Sequence, residues 1–196
     1  NVAIGLAVGM VIYQTITDSF RSGSSFFQKN LSLFIQNPKI IDATVIHIII
    51  DSVVNCLFKI PIIYGLLILF TDMSFQIVWL WLIVALPFMI LLSLSLGFVF
   101  SFTSYLNRDI AQVSYLVPLL ILVFTPIIFV PENGIAAFVQ QINPFSHWLH
   151  LMKAFLLKSM FPGKNFLLLL FGSIFIFTIT WKFVCYTMPY VAEEAK

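Results

Sequence analysis

Residues 77–101 read IVWLWLIVALPFMILLSLSLGFVFS, and this stretch indicates the class of the fold. It carries no charged residue along its whole length, and a membrane-spanning helix needs about 20 mostly apolar residues. The rest of the chain has the same character, because 61% of its 196 residues are hydrophobic and only 9% are charged. A soluble globular domain carries roughly 25% charged residues. So few charges cannot cover a water-facing surface, so the sequence predicts a protein embedded in lipid.

Five segments meet the length of a span or nearly do, which predicts an all-α polytopic helical bundle forming a single transmembrane domain over 1–196. The predicted spans are residues 2–17, 45–70, 77–101, 110–130 and 166–186. Prolines inside these spans predict kinks, at Pro61, Pro87, Pro118 and Pro126. In the first span, Gly5 and Gly9 have the spacing that lets two helices approach closely, either at a dimer seam or in packing within the chain.

Basic residues predict the orientation of the bundle, because cytoplasmic loops carry an excess of lysine and arginine. If the 18–42 loop is cytoplasmic, that side holds six basic residues: Arg21, Lys29, Lys39, Arg108, Lys182 and Lys196. The outer side then holds three, at Lys153, Lys158 and Lys164. The bias favours a cytoplasmic 18–42 loop.

The second predicted span carries His47, Asp51, Asn55 and Lys59, each four residues after the last. Residues four apart are neighbours on one helix face, and polar groups that faced lipid would be costly. This polar stripe indicates either the lining of a translocation path or a helix at the cytoplasmic interface with Asp51 and Lys59 paired inside the bundle.

The 18–42 segment is amphipathic, since Phe26, Phe27 and Leu31 alternate with polar residues that include Lys29 and Asn30. Such a stretch is typical of a short helix that lies on the membrane face or docks in a groove of a partner.

Several chemistries find no support in the sequence. His147 and His150 have no cysteine or carboxylate at metal-ligand spacing, so we expect no metal site. The two cysteines, Cys56 and Cys185, are expected to be buried apolar residues. The net charge of +2 gives no basis for nucleic-acid binding. Gly163-Lys164 lacks the preceding glycine of a phosphate-binding loop, so this chain is expected to bind no ATP itself.

Three short motifs occur in order along the second half of the chain. Asn107-Arg108-Asp109-Ile110 opens the fourth span, Thr125-Pro126-Ile127 comes near its end, and Asn143-Pro144 lies in the outer loop. This series resembles the permease subunits of type-2 ATP-binding-cassette exporters, especially those that export polysaccharides such as O-antigen, teichoic acid or capsule. The motif residues that carry the resemblance are Arg108, Asp109, Pro126, Asn143 and Pro144.

The resemblance implies six spans, five of them here, with an N-terminal part missing. It also implies a homodimer that binds an ATP-binding-cassette ATPase subunit, on which ATP and Mg would bind. The 18–42 loop would contain the cytoplasmic coupling helix, with its contact residues at Phe26, Phe27, Lys29, Asn30 and Leu31. Residues 131–165 would form short outer re-entrant helices. The family commonly has an arginine after its Asn-Pro motif, where this chain offers Lys153.

We therefore expect a multi-pass transporter subunit of a bacterial cytoplasmic (inner) membrane that moves a lipid-linked glycan outward. The alternative is a type-2 permease for a drug or other small lipophile. Arg108-Asp109 would act as a helix cap alone or would add conformational coupling. A membrane-embedded enzyme would need a cluster of acids or histidines at one membrane face, and the sequence offers none.

Overall fold

The computed structural model describes residues 2–37, 40–70, 75–127, 134–157 and 163–194, and every regular element in those ranges is a helix. The α-helices are α1 (Val2–Ser24), α2 (Phe26–Gln36), α3 (Ile41–Leu57), α4 (Ile60–Phe70), α5 (Trp81–Leu106), α6 (Arg108–Val113), α7 (Leu116–Phe124), α8 (Ile135–Ile142), α9 (Pro144–Leu157) and α10 (Gly163–Glu194). A 3-10 turn, Ile77–Leu80, leads into α5. The all-α class is thereby confirmed.

Three of the predicted spans are helices long and apolar enough to cross a membrane. They cover Ile41–Phe70, Ile77–Leu106 and Gly163–Val191 within the described residues. The first predicted span forms the 23-residue α1. The fourth is divided between α6 and α7, and its last three residues, 128–130, lie outside the described residues. The count of five spans stays a prediction.

Prolines explain two interruptions in the helices. Pro61 has no N–H to donate to the Leu57 carbonyl, and the helix is interrupted at Phe58 and Lys59. At this interruption the Lys59 N–H donates to Cys56 O. Pro118 likewise leaves the Ser114 carbonyl to the N–H of Val117, and α6 ends at Val113. Pro87, in contrast, lies inside an unbroken α5.

Helix α1 extends further than the sequence suggested. The predicted boundary at Thr17 is wrong, because residues 18–24 continue the helix and the polar loop begins only at Ser25. The physical reason is that Phe20 is buried against α5, with its ring 5.5 Å from Phe100, so the last turn is stabilised by packing.

Helix α5 is the centre of the bundle, in contact with α1, α2, α3 and α10. Its closest neighbour is α1, where Gly23 and Gly97 meet backbone to backbone. A Cβ placed on Gly97 would lie 2.6 Å from the Phe20 carbonyl oxygen. Only glycine allows the helices to approach so closely.

The two ends of the bundle gather different segments. At one end, α2 packs on the last turns of α5, and the indole N–H of Trp181 in α10 donates to Asp42 at the start of α3, at 2.9 Å. At the other end, Trp81, the first residue of α5, packs on Phe166 of α10. The grouping places Lys29 and Lys182 at the first end and Lys164 at the second. The orientation of the bundle in a membrane stays a prediction.

Candidate functional site

A polar seam runs along the contact of α1 and α2 with α3. Two adjoining hollows are lined by Phe26, Ile48 and a larger set of polar side chains with Cys56. We use this name for that larger set, which is Thr15, Asp18, Ser19, Ser22, Ser25, Lys29, Asn30, Thr44, His47, Asp51, Ser52, Asn55, Cys56 and Lys59. They come from α1, α2, α3 and the break after α3. The seam therefore joins the residues predicted for coupling with those predicted for the polar stripe.

The first and smaller hollow of the seam is built around an ion pair. Lys59 Nζ lies 2.7 Å from Asp18 Oδ2, with the lysine side chain 17% exposed and the aspartate 48% exposed. This pair exists because the break before Pro61 ends α3 and places Lys59 opposite α1. Among the described residues Lys59 thus pairs with Asp18. One of the two sequence interpretations paired Lys59 with Asp51, and that pairing is wrong.

The crevice beside this pair holds about 20 Å³, which is enough for one water molecule. Within the described part of the chain, Ser52 Oγ borders the crevice, is buried and has no hydrogen-bond partner. Thr15 and Ser19 donate their hydroxyl protons to backbone carbonyls one turn earlier in α1. A water in the crevice would satisfy Ser52 and solvate the ion pair.

The second hollow of the seam is a cleft of about 220 Å³ between α2 and α3. His47 and Asp51 lie exposed on α3, and Lys29 lies exposed on α2 across the cleft. Asn30 is half-buried and donates its amide to Phe26 O at 2.9 Å. The cleft offers both hydrogen-bond donors and acceptors, which suits a polyhydroxylated or hydrated ligand.

The stripe residues sit as the four-residue spacing implied. His47, Asp51 and Asn55 are all exposed side chains of α3, and Lys59 follows just beyond its end. Because α3 belongs to a candidate membrane span, these polar groups need water or protein beside them.

The predicted coupling residues divide into two groups in the structure. Phe26 and Phe27 are fully buried: the Phe26 ring lies 5.0 Å from Phe98, and Phe27 N–H donates to Ser101 Oγ at 2.9 Å. These contacts fix α2 to α5. Lys29 is exposed, and Leu31 is half-buried like Asn30. A partner protein would therefore meet Lys29, while the phenylalanines anchor the helix.

The Thr-Pro and Asn-Pro motifs, distant in sequence, come together in space. Asn143 Nδ2 donates to Phe124 O at 3.0 Å and lies 3.4 Å from Thr125 Oγ1. Asn143 Oδ1 accepts from Phe145 N–H at 3.0 Å and so caps the first turn of α9, which Pro144 opens. Nothing in the local sequence predicts this junction between the end of α7 and the start of α9.

Lys153 lies next to that junction. Its amine donates to Pro126 O at 3.3 Å. The same amine lies over the first half of α1, since a Cβ on Gly9 would be 3.7 Å from Lys153 Nζ. The spacing of Gly5 and Gly9 thus serves packing within the chain, since Gly5 faces Leu157 and Gly9 faces Ile127 and Lys153. The basic residue after the Asn-Pro motif touches the Thr-Pro motif.

In the Asn107-Arg108-Asp109 motif, Asn107 caps α6. Its Oδ1 accepts from Asp109 N–H at 2.9 Å at the start of that helix. Asp109 is exposed in that first turn, where its charge favours the helix N-terminus. The side chain of Arg108 lies outside the described residues. Asparagine before a helix is a strong capping signal, whereas the sequence prediction assigned the cap to Arg108-Asp109.

The described residues contain no group of three or more side chains able to hold a metal ion. Cys56 and Cys185 are free thiols, the first buried and the second half-buried. No protein-family model matches the chain, and no curated protein matches it.

Proposed function

We propose that the chain is the membrane-spanning permease subunit of an ATP-driven exporter that moves a lipid-linked polysaccharide out of the cytoplasm. In this proposal it lies in a bacterial cytoplasmic membrane with five spans and works as a homodimer. ATP and Mg bind to separate ATPase subunits.

The polar seam is the observation that carries this proposal. Three exposed polar side chains of α3 lie on a helix apolar enough to cross a membrane, and the seam continues past them to the Asp18–Lys59 ion pair. Such groups are costly against lipid and in membrane proteins mark substrate or ion pathways. Their mixture of donors and acceptors supports a polar cargo such as a sugar chain over a small lipophile.

The attachment of α2 supports an external drive for transport. Its buried phenylalanines and the Phe27–Ser101 hydrogen bond join it firmly to α5, the central helix. A force applied by an ATPase to the exposed face of α2, where Lys29 lies, would therefore be passed directly into the bundle.

The short helices α8 and α9 support a gate in the outer half of the bundle. Helix α9 lies along the first half of α1, at the opposite end from α2, and the Asn143 junction joins it to α7. Neither α8 nor α9, at 8 and 14 residues, is long enough to cross a bilayer. We assign them as the outer re-entrant helices.

The test is to purify the tagged chain from its own cells and identify what accompanies it. We expect an ATPase subunit. We also expect Lys29→Glu to lower the amount of glycan at the cell surface several-fold, while ATP hydrolysis by the purified complex continues, because the transmitted motion is lost.

Lys182→Glu is the matched control, since it makes the same charge change at an exposed site of the same end, on α10. It should leave export near the wild-type level. Purification without any ATPase, together with normal export by the Lys29→Glu variant, would remove the basis for the proposal.

A further inference from the structure

A second cavity, of about 400 Å³, opens between α9 and α10. Its lining combines two histidines and an amide with three leucines, namely His147, His150, Asn165, Leu151, Leu168 and Leu169. The volume is in the range of pockets that hold small molecules. None of these residues belongs to the polar seam, so the cavity calls for an occupant of its own.

The level of the cavity across a bilayer can be inferred from how α9 and α10 pack. They run antiparallel, because the Phe155 ring packs 6.1 Å from Phe166, while Trp148 donates to Ser173 Oγ at 3.1 Å. Helix α10 has 32 residues, about 48 Å at 1.5 Å per residue, and the hydrocarbon core is about 30 Å thick. The apolar run of α10 begins only at Phe166, so its polar first turn, with Lys164 and Asn165, would lie beyond the hydrocarbon. The cavity is lined by Asn165, Leu168 and Leu169 of α10, so in a bilayer it would lie between the hydrocarbon and the lipid headgroups.

The charges around the cavity favour an anion. None of the described residues that line it is an acid, and Lys164, next to Asn165, is exposed on the first turn of α10. The Asn165 amide has two hydrogens to donate. His147 Nε2 lies 2.7 Å from Gln141 O, and because a carbonyl oxygen only accepts, Nε2 donates in this contact, which holds the ring in place.

We propose that this cavity binds an anionic phospholipid of the surrounding membrane. The phosphate would contact His147, His150 and Asn165, and an acyl chain would lie along Leu168 and Leu169. The site goes beyond the proposed function, since a bound lipid of this kind depends on the membrane and not on the exported cargo.

The experiment measures lipid binding to the full chain, purified in detergent, by native mass spectrometry. Phosphatidylglycerol is titrated against phosphatidylcholine, with His147→Ala/His150→Ala as the test variant. We expect phosphatidylglycerol to bind more tightly than phosphatidylcholine, and the double substitution to weaken it by about 10-fold, the effect of losing charge-assisted hydrogen bonds. His47→Ala removes a histidine that does not line this cavity, and it should leave phosphatidylglycerol binding at the level of the unmodified chain.

A second variant keeps the result decisive if the histidine variant folds poorly. Leu168→Trp fills the apolar part of the cavity without changing its charge, and should also weaken phosphatidylglycerol binding. Equal affinity for the two lipids, unchanged binding by folded variants, or the same loss with His47→Ala would each overturn the proposal. Displacement of the lipid by millimolar inorganic phosphate would reassign the cavity to free phosphate and overturn it as well.

Discussion

Helix α1 meets α5 on one side and α3 on another, and the two contacts are built from opposite kinds of residue. Towards α5 it presents Ile16, Phe20 and Gly23, all buried, and a Cβ on Gly23 would lie 2.9 Å from the Leu94 carbonyl oxygen. Towards α3 it presents Asp18 and Ser22, beside open space. One contact is dry and close, whereas the other is polar and leaves room for water.

This difference indicates which helices move together and which separate. Dispersion contacts across the α1–α5 crossing are lost as soon as the backbones part, so this pair should behave as one rigid unit. Groups in the seam can exchange their hydrogen bonds for water at little cost. If the bundle opens during transport, the seam is therefore where we expect α1 and α3 to part.

The largest effect we expect comes from Gly97→Ala, at the dry contact. The new Cβ would lie 2.6 Å from Phe20 O, a backbone atom that cannot turn aside, so the helices must move apart. We expect a loss of roughly 1–3 kcal/mol of stability, measured as a clear fall in the melting temperature of the purified chain.

Gly172→Ala in α10 is the matched control, because a Cβ there meets nothing within 4 Å. Alanine favours a helix over glycine by about 1 kcal/mol, so this variant should melt at the wild-type temperature or above it. A Gly97→Ala protein as stable as Gly172→Ala would show that the α1–α5 contact is looser than its geometry implies.

The fold class could be predicted because it rests on a bulk property of the chain. A long uncharged stretch such as 77–101 cannot be covered by water-facing residues, whatever its neighbours are. The limits of α1 could not be predicted. Asp18 and Ser22 resemble the start of a loop, and only burial of Phe20 against α5 shows that the helix continues. That contact joins residues about 80 positions apart in sequence.

The candidate site was predicted in part for the same reason. Four-residue spacing is a local property, so the shared face of His47, Asp51 and Asn55 could be derived from it. The partner of Lys59 could not, because it depends on the break before Pro61 and on a helix that is 41 residues away in the chain. The contact between Asn143 and Phe124 is likewise tertiary and leaves no trace in local spacing.

Lys59→Met should have a smaller effect than Gly97→Ala and tests the polar side of the comparison. It keeps the length of the side chain but leaves Asp18 without its cation. Because the aspartate is half exposed, water offsets part of the cost, and we expect a loss of about 1–2 kcal/mol. Adding Asp18→Asn should restore some of that stability, since the stranded charge is removed. Melting temperatures of both single variants and the double variant decide this, and strictly additive losses would show that the pair contributes nothing.

The smallest effect we expect is a difference in stability between two serine-to-alanine variants, one on each side of α1. Ser93 in α5 donates its hydroxyl proton to Ile16 O across the dry contact, whereas Ser52 in the seam is buried beside the crevice with no protein partner in the described residues. Ser93→Ala should cost about 0.5–1.5 kcal/mol, the net value of a hydrogen bond, because it leaves little else changed. Ser52→Ala removes a hydroxyl that no protein group satisfies, so the melting temperature should stay the same or rise slightly. If the two variants lost equal stability, the seam would be as firmly ordered as the crossing, and α1 would have no preferred side on which to open.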